Sequence, residues 1–395
     1  MELSALSLFA ATPEQAKESL RRARDQWGKD MTPQEYESRD ENWIREFESA
    51  RDGKFTTWIL APRDDSQTLD FKCSCKTFKW PAITIRRDEF RSQPAFCYAV
   101  GSVFTPSKHR GRGYAGHMMR LLHWVLAPES FLQKFEFPEE WGERPMERRG
   151  DGNFSILSSD IGREFYLSCG LFARPTDLND SNGCGWVVRE PISTYWDVAA
   201  AKENLGTLEL ECKDNFEWLN EEGVRNQCEN EEMMKEDFAD LAISQVTTGE
   251  DVAFAILPSQ GVEAFNRRRL RHAYQDYHID RWGLLVKDGY SSSLATWIVE
   301  LPRRGMEFPD TPRKLIITRL RLGKTTDLSL ILKLVIDVAL TVNITTIEVW
   351  NIPQHLKEIA TQLGGVEKER EAKLSAFKWY GDDHSDRVRW IFNER

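Results

Sequence analysis

His109-Arg110-Gly111-Arg112-Gly113-Tyr114-Ala115-Gly116 is the stretch on which the reading of this chain turns. Before it runs Ala95 to Phe104, an apolar segment expected to be a strand. After it Met118, Met119, Leu122 and Val125 recur with Ala115 at helical spacing. The expected unit is strand, glycine loop, helix. Glycines let the backbone turn through positive φ and close on a ligand, successive N–H groups converge on an anion, and the new helix offers its positive end. Arginines beside such a turn add charge-assisted hydrogen bonds. The chemistry expected of Arg110, Gly111, Arg112, Gly113, Tyr114, Ala115 and Gly116 is therefore that of a pyrophosphate cradle.

Two other phosphate templates fit less well. Gly111, Gly113 and Gly116 have the spacing of the dinucleotide fingerprint, but polar Ser107, Lys108, His109 and Arg110 separate the strand from the first glycine. Gly323-Lys324-Thr325 ends like a nucleotide P-loop, yet Thr318 stands where that loop needs its upstream glycine. A glycine turn with exposed arginines and no ligand is the plain structural alternative.

Working outward, Thr-Pro pairs open two helices, Pro13 to Gln26 and Pro33 to Arg51. Phe55 to Ala61 and Leu69 to Phe78 read as a hairpin. Phe154 to Leu157 is a short strand, and Ile161 to Cys169 a helix closed by Gly170. Later, Lys314 to Leu322, Leu328 to Val342, Thr345 to Trp350 and Pro353 to Leu363 repeat the order strand, helix, strand, helix without sequence identity. The 395 residues exceed what one core usually organises. The expected division is 1–195, a crossing segment 196–237, and 238–395. A net charge of −10 gives no general attraction to nucleic acid or anionic membrane. Seven cysteines without a Cys-x-x-Cys pair suggest neither a disulfide framework nor a zinc site, so no metal is expected. With no run long enough to span a bilayer, the expected location is the cytoplasm.

Arg110-x-x-Gly113-x-Ala115, preceded by Val103-Phe104-Thr105-Pro106, resembles the signature of the GNAT acetyltransferases. Phe165-Tyr166-Leu167-Ser168-Cys169-Gly170-Leu171 resembles that family's second motif. At finer grain, Cys73 to Ala82, Ser158-Asp160-Ile161-Gly162 and the ending Ala376-Phe377-Lys378-Trp379-Tyr380-Gly381-Asp382-Asp383 resemble the fungal lysine N6-acetyltransferases of lysine catabolism. The resemblance implies an α+β fold: a GNAT domain with a mixed sheet flanked by helices, then a second, degenerate GNAT-like α+β domain covering the acceptor site. It implies acetyl-CoA as co-substrate, with Val103, Phe104 and Thr105 beside the pantetheine arm and Tyr166 as general acid.

The implied reaction is direct transfer of acetyl to a primary amine, most specifically the N6-amine of free L-lysine. The alternatives are another small amine, such as a polyamine or secondary metabolite, or a protein lysine acetyltransferase or CoA-binding interaction module. A lysine amine titrates near 10.4, so a base should stand near it. Asp160 is one candidate and the carboxylate at the chain end another. Arg86 or Arg87 is the candidate anchor for a substrate carboxylate. Cys169 reads as a packing residue, and the second half, lacking closely spaced glycines at Arg321-Leu322-Gly323-Lys324-Thr325-Thr326, as binding no cofactor.

Overall fold

The computed structural model describes residues 2–29, 31–38, 48–86, 91–172, 183–189, 191–206, 215–245, 251–269, 277–288, 291–302 and 313–391. The chain forms two compact units, and they are not its two contiguous halves. The first comprises Met1–Arg189, Phe238–Leu257 and Glu371–Ile391; the second comprises Glu190–Asp237, Pro258–Arg370 and Phe392–Arg395. The expected crossing segment 196–237 thus belongs to the second unit, and the Trp379-Tyr380 ending to the first. Composition cannot show this, because a strand's neighbour is chosen by face and register rather than by chain order.

In the first unit, β1 (Leu6–Ala10), β2 (Phe55–Pro62), β3 (Cys73–Arg86), β4 (Gln93–Phe104), β5 (Phe154–Ser159), β15 (Leu374–Trp379) and β6 (Val187–Val188) lie in the sheet order 1-2-3-4-5-15-6. β9 (Val252–Ile256) joins β3, and β16 (Val388–Trp390) joins β9. β4 and β5 are parallel, joined through α2 (Tyr114–Leu126), while β15 runs antiparallel to β5 with Ala376 opposite Leu157. The period of two is plain in β2. Trp58 and Leu60 pack with Met118, Met119, Leu122 and Val125 of α2, while Ile59 and Ala61 pack with Phe71 on the other face. Each large side chain fully buried in this way, such as Leu60 or Ile59, contributes roughly 1.5–3 kcal/mol before ordering entropy is subtracted.

Helix α1 (Pro13–Trp27) starts as its sequence predicts. Thr12 and Gln15 exchange side-chain and backbone hydrogen bonds in a capping box, with Pro13 in the first turn. Of the second Thr-Pro helix, residues 33–38 are helical, while 39–47 lie outside the described residues. β3 is longer than expected and runs through Pro81. Its early residues pair with β2 and its later ones, from Ala82, with β9. Pro81 stands between these two partners, where its missing N–H breaks neither ladder and its carbonyl accepts from Leu257 N–H at 2.9 Å.

The second unit carries β14 (Val366–Glu369), β7 (Ile192–Asp197), β13 (Thr346–Trp350), β12 (Lys314–Arg321), β11 (Ser291–Glu300), β10 (Gly283–Asp288) and β8 (Phe216–Leu219), in that sheet order. Again one pair, β12 and β13, is parallel and joined by a helix (Asp327–Thr341). The architectural repeat expected from the element order is present. Among the described residues no helix is long and apolar enough to cross a membrane.

Candidate functional site

The site starts where two parallel strands part. β4 pairs with β5 from Cys97 opposite Phe154 to Val100 opposite Leu157, then continues to Phe104 without a ladder partner on β5. Against β3, Gly101 faces Lys76 but Phe104 faces Ser74, so three steps on β4 match two on β3. The extra residue is a bulge, and Ser102 there has φ of 52°. Bulged backbone beside an unpaired strand edge leaves peptide groups for a ligand to meet. Val103, Phe104 and Thr105 lie on this stretch, and the Thr105 hydroxyl donates to Cys73 Sγ at 3.2 Å.

Next comes the glycine loop. Gly111 and Gly113 have φ of 73° and 77°, the left-handed region that L side chains rarely adopt. Gly113 is the N-cap of α2 and no side chain caps the helix. The first intrahelical bond runs from His117 N–H to the Gly113 carbonyl at 2.9 Å, so the N–H groups of Tyr114, Ala115 and Gly116 precede the ladder. Arg110 Nε donates to the Thr105 carbonyl at 3.0 Å, and the side chains of Lys108, Arg110 and Arg112 are exposed around the turn. Asp70 fixes the loop's flank. It accepts from Lys72 at 2.7 Å and Lys108 at 3.0 Å, and these hydrogen bonds hold its carboxyl below the usual range. The Tyr114 ring is core, edge-on to His109. From Tyr114 to Gly116, then, backbone rather than side chains faces the turn. Alternating left-handed glycines, unladdered N–H groups and three exposed cations suit a pyrophosphate.

Tyr166 stands on α3 (Glu164–Leu167), a single turn where the sequence suggested a longer helix from Ile161. Four residues cannot hold a helix alone. Tertiary donors hold this one. Beside the local bond from Cys169 N–H, the Tyr166 carbonyl accepts from the backbone N–H of Trp186 (3.1 Å), and Leu167 O accepts from Gly185 N–H (2.8 Å). Ser168 O accepts from Arg120 (3.0 Å) and Cys169 O from His123 (2.9 Å). The approach of 185 requires glycine, since a Cβ there would lie 2.1 Å from the Tyr166 carbonyl. The Tyr166 ring packs edge-on against Phe165 and Trp186. Burial raises its hydroxyl pKa, so the group stays protonated at neutral pH.

Other expected residues have structural partners. Asp160 is exposed and accepts from Lys373 N–H at 3.1 Å. Arg86 is held bidentate by Asp383, both bonds 2.6 Å, so the guanidinium proposed as a carboxylate anchor already has a carboxylate. Arg87 and residues 392–395 lie outside the described residues. Cys169 is fully buried, its thiol bonded to the Phe165 carbonyl and pushed up to about 11 chiefly by burial, which suits packing rather than nucleophilic attack. Sequence reading missed Arg120 and His123, because a helix position signals burial by its spacing but not the carbonyl it will meet.

The second unit repeats the strand geometry without the cradle. β12 extends to Arg321, past its last partner on β13 at Ile317, with an extra residue where Thr296 faces Arg319 and Trp297 faces Ile317. At its helix start, however, Asp327 is buried and accepts from Ser293 Oγ at 2.7 Å, while Ser293 accepts from Gly323 N–H at 2.8 Å. An internal carboxylate and hydroxyl stand where the first loop leaves open backbone.

The family profile described as the LYC1 GNAT-like C-terminal domain matches residues 200–395. A lysine acetyltransferase of Yarrowia lipolytica (strain CLIB 122 / E 150) is 26% identical over 110 residues, which is 28% of this chain and 26% of that protein. The match therefore spans about a quarter of that relative's length. A protein of Enterococcus faecalis V583, described as a probable N-acyltransferase, superposes with a TM-score of 0.52 at 9% identity, covering 95% of this chain and 72% of that one. A GCN5-related N-acetyltransferase of Anabaena variabilis ATCC 29413 gives a TM-score of 0.50 at 10% identity, over 95% and 73%. At these identities the structural likeness speaks for the fold, which is the GNAT fold over most of the chain. Residues 200–395 thus match the LYC1 GNAT-like C-terminal domain, and the chain has the fold of the GNAT acetyltransferases.

Proposed function

We propose that the chain transfers acetyl from acetyl-CoA to the N6-amine of free L-lysine. The observation that carries the cofactor part is the continuous path from the parted, bulged end of β4 through the left-handed Gly111 and Gly113 to the uncapped start of α2. Arg110, Arg112 and the N–H groups of Gly111 to Gly116 would hold the pyrophosphate, and Val103 to Thr105 the arm leading to the acyl group. When bound, acetyl-CoA supplies an activated acyl group as a thioester. Backbone N–H groups beyond Val100 stabilise negative charge on the acyl oxygen, and Tyr166 donates its proton toward the sulfur. Protonated over the whole neutral range, Tyr166 suits an acid and not a base. Asp160, which accepts from Lys373 N–H, has a structural task in this reading. Support for lysine as acceptor comes from the similarity to the lysine acetyltransferase of Yarrowia lipolytica.

The test is to mix the protein with acetyl-CoA and a panel of free lysine, spermidine and a lysine-bearing peptide, following thiol release and identifying the product by mass. Acetylation of lysine alone at N6 is the expected result. Turnover only of spermidine or the peptide would overturn the acceptor assignment and leave the cofactor site standing.

A further inference from the structure

The Trp379-Tyr380 ending is singled out by sequence, yet the reaction described above makes no use of it. Tyr380 is buried, and its hydroxyl lies 3.0 Å from His123 Nδ1 and 2.8 Å from Ser155 Oγ. His123 is 0% exposed in the last turn of α2, and its other nitrogen lies 2.9 Å from the Cys169 carbonyl. Hydrogen-bond chemistry fixes every proton in this row. A carbonyl can only accept, so His123 Nε2 carries a hydrogen. A neutral imidazole then has Nδ1 as acceptor, so Tyr380 O–H donates to it, and Ser155 O–H donates to Tyr380. Neutrality follows from the surroundings: burial disfavours the imidazolium first, and the nearby Lys378 and Arg120 charges oppose it further. The ring also lies 4.1 Å, centroid to centroid, from the indole of Trp186, a residue whose backbone N–H donates to the Tyr166 carbonyl.

We infer that the chain Ser155, Tyr380, His123 is the positioning device for Tyr166, acting through the Cys169 carbonyl and Trp186. The helix bearing Tyr166 is one turn long and takes its placement from outside donors, of which His123 is held in turn by Tyr380. Tyr380 holds the ring in that orientation, since removing its O–H leaves Nδ1 a buried acceptor with no donor and frees the imidazole to turn away from the Cys169 carbonyl. Residues 371–391, far along the chain, thereby set the place of the catalytic hydroxyl. Tyr380 and His123 are positioning residues; Tyr166 alone of these touches the reacting atoms, so the inference rests on the Tyr166 assignment above.

The experiment is a double-substitution cycle in the full chain, using whichever amine of the lysine, spermidine and peptide panel turns over fastest. Tyr380→Phe should lower kcat about tenfold, within what a misplacement of up to about 1 Å costs, and leave KM for acetyl-CoA within twofold. In a Tyr166→Phe background the same substitution should change kcat less than twofold, because nothing remains to be positioned. His123→Gln, which keeps an N–H donor, should retain more activity than His123→Leu. An equal loss in both backgrounds would overturn the positioning role while leaving Tyr166 as the acid. An unchanged kcat in Tyr166→Phe alone would overturn both. If the variants fail to fold, nitrogen NMR of the wild-type imidazole decides: a neutral Nε2–H ring at pH 7 supports the device, and an Nδ1–H or charged ring refutes it.

Discussion

Replacing Gly113 by alanine isolates the backbone geometry of the cradle from everything else. Its φ is 77°, and an added Cβ would meet only Leu3 Cδ1, at 3.8 Å, an ordinary contact. No clash therefore contributes, and the cost is the left-handed conformation itself, about 1–2 kcal/mol for an L-residue. The loop is exposed, so the free protein can relax this strain by local turning. Binding of CoA must then restore the left-handed turn, and the penalty appears in the dissociation constant. At about 1.4 kcal/mol per tenfold, the expected weakening is about 5- to 30-fold. Calorimetric titration of the full chain with CoA reads it directly, and thermal melting checks that the fold is unchanged. Gly111→Ala, with open space around the added Cβ, should behave alike, and Gly113→Asn should lose less because asparagine tolerates positive φ. Affinity within twofold of wild type for both alanine variants, with unchanged melting, would refute the view that the ligand rests on this backbone.

Stability should fall in mild acid. His117 is buried and its pKa is lowered to about 4, by burial first and then by Arg120 and Arg63, so between pH 6.5 and 4 the unfolded chain binds the proton that the folded one refuses. From pH 7 to 5 this costs roughly 2 kcal/mol, read as a lower urea midpoint, and His117→Leu should remove about that much of the pH dependence; an equal dependence in the variant would exclude His117 as its source. Gly185→Ala places a Cβ 2.1 Å from the Tyr166 carbonyl, an overpacking that costs on the order of 1–3 kcal/mol or more. It should lower both melting temperature and kcat, whereas Gly206→Ala, with nothing within 4 Å, should do neither.

The sequence made the cradle legible because its physics is local. Glycine spacing, an apolar strand before it and helical spacing after it together predict β4, the loop and α2, all of which the structure contains. The single-turn helix was less legible. Ile161, Phe165 and Cys169 lie at helical intervals, yet Gly162 has φ of 84° and Ile161 is 62% exposed, so the periodic residues do not share one helix. The strand expected to end at Phe78 continues to Arg86 because its partner changes from β2 to β9 around Pro81, a tertiary fact. Sheet membership of Leu374–Trp379 was likewise beyond local reading. Its alternation fits a strand in either unit, and only pairing with β5 assigns it to the first. Among site residues, Arg86 fitted the chemistry of a carboxylate anchor, but Asp383, 297 positions away, is what it meets.

The account stands most directly on one comparison: wild type and Tyr166→Phe, each mixed with acetyl-CoA and free L-lysine, with CoA release timed and the product identified. The wild type should form N6-acetyl-lysine, and Tyr166→Phe should form the same product with kcat lowered by about 100-fold or more and KM for acetyl-CoA within twofold. Equal kcat in the two proteins, or release of CoA without acetyl-lysine, would contradict it.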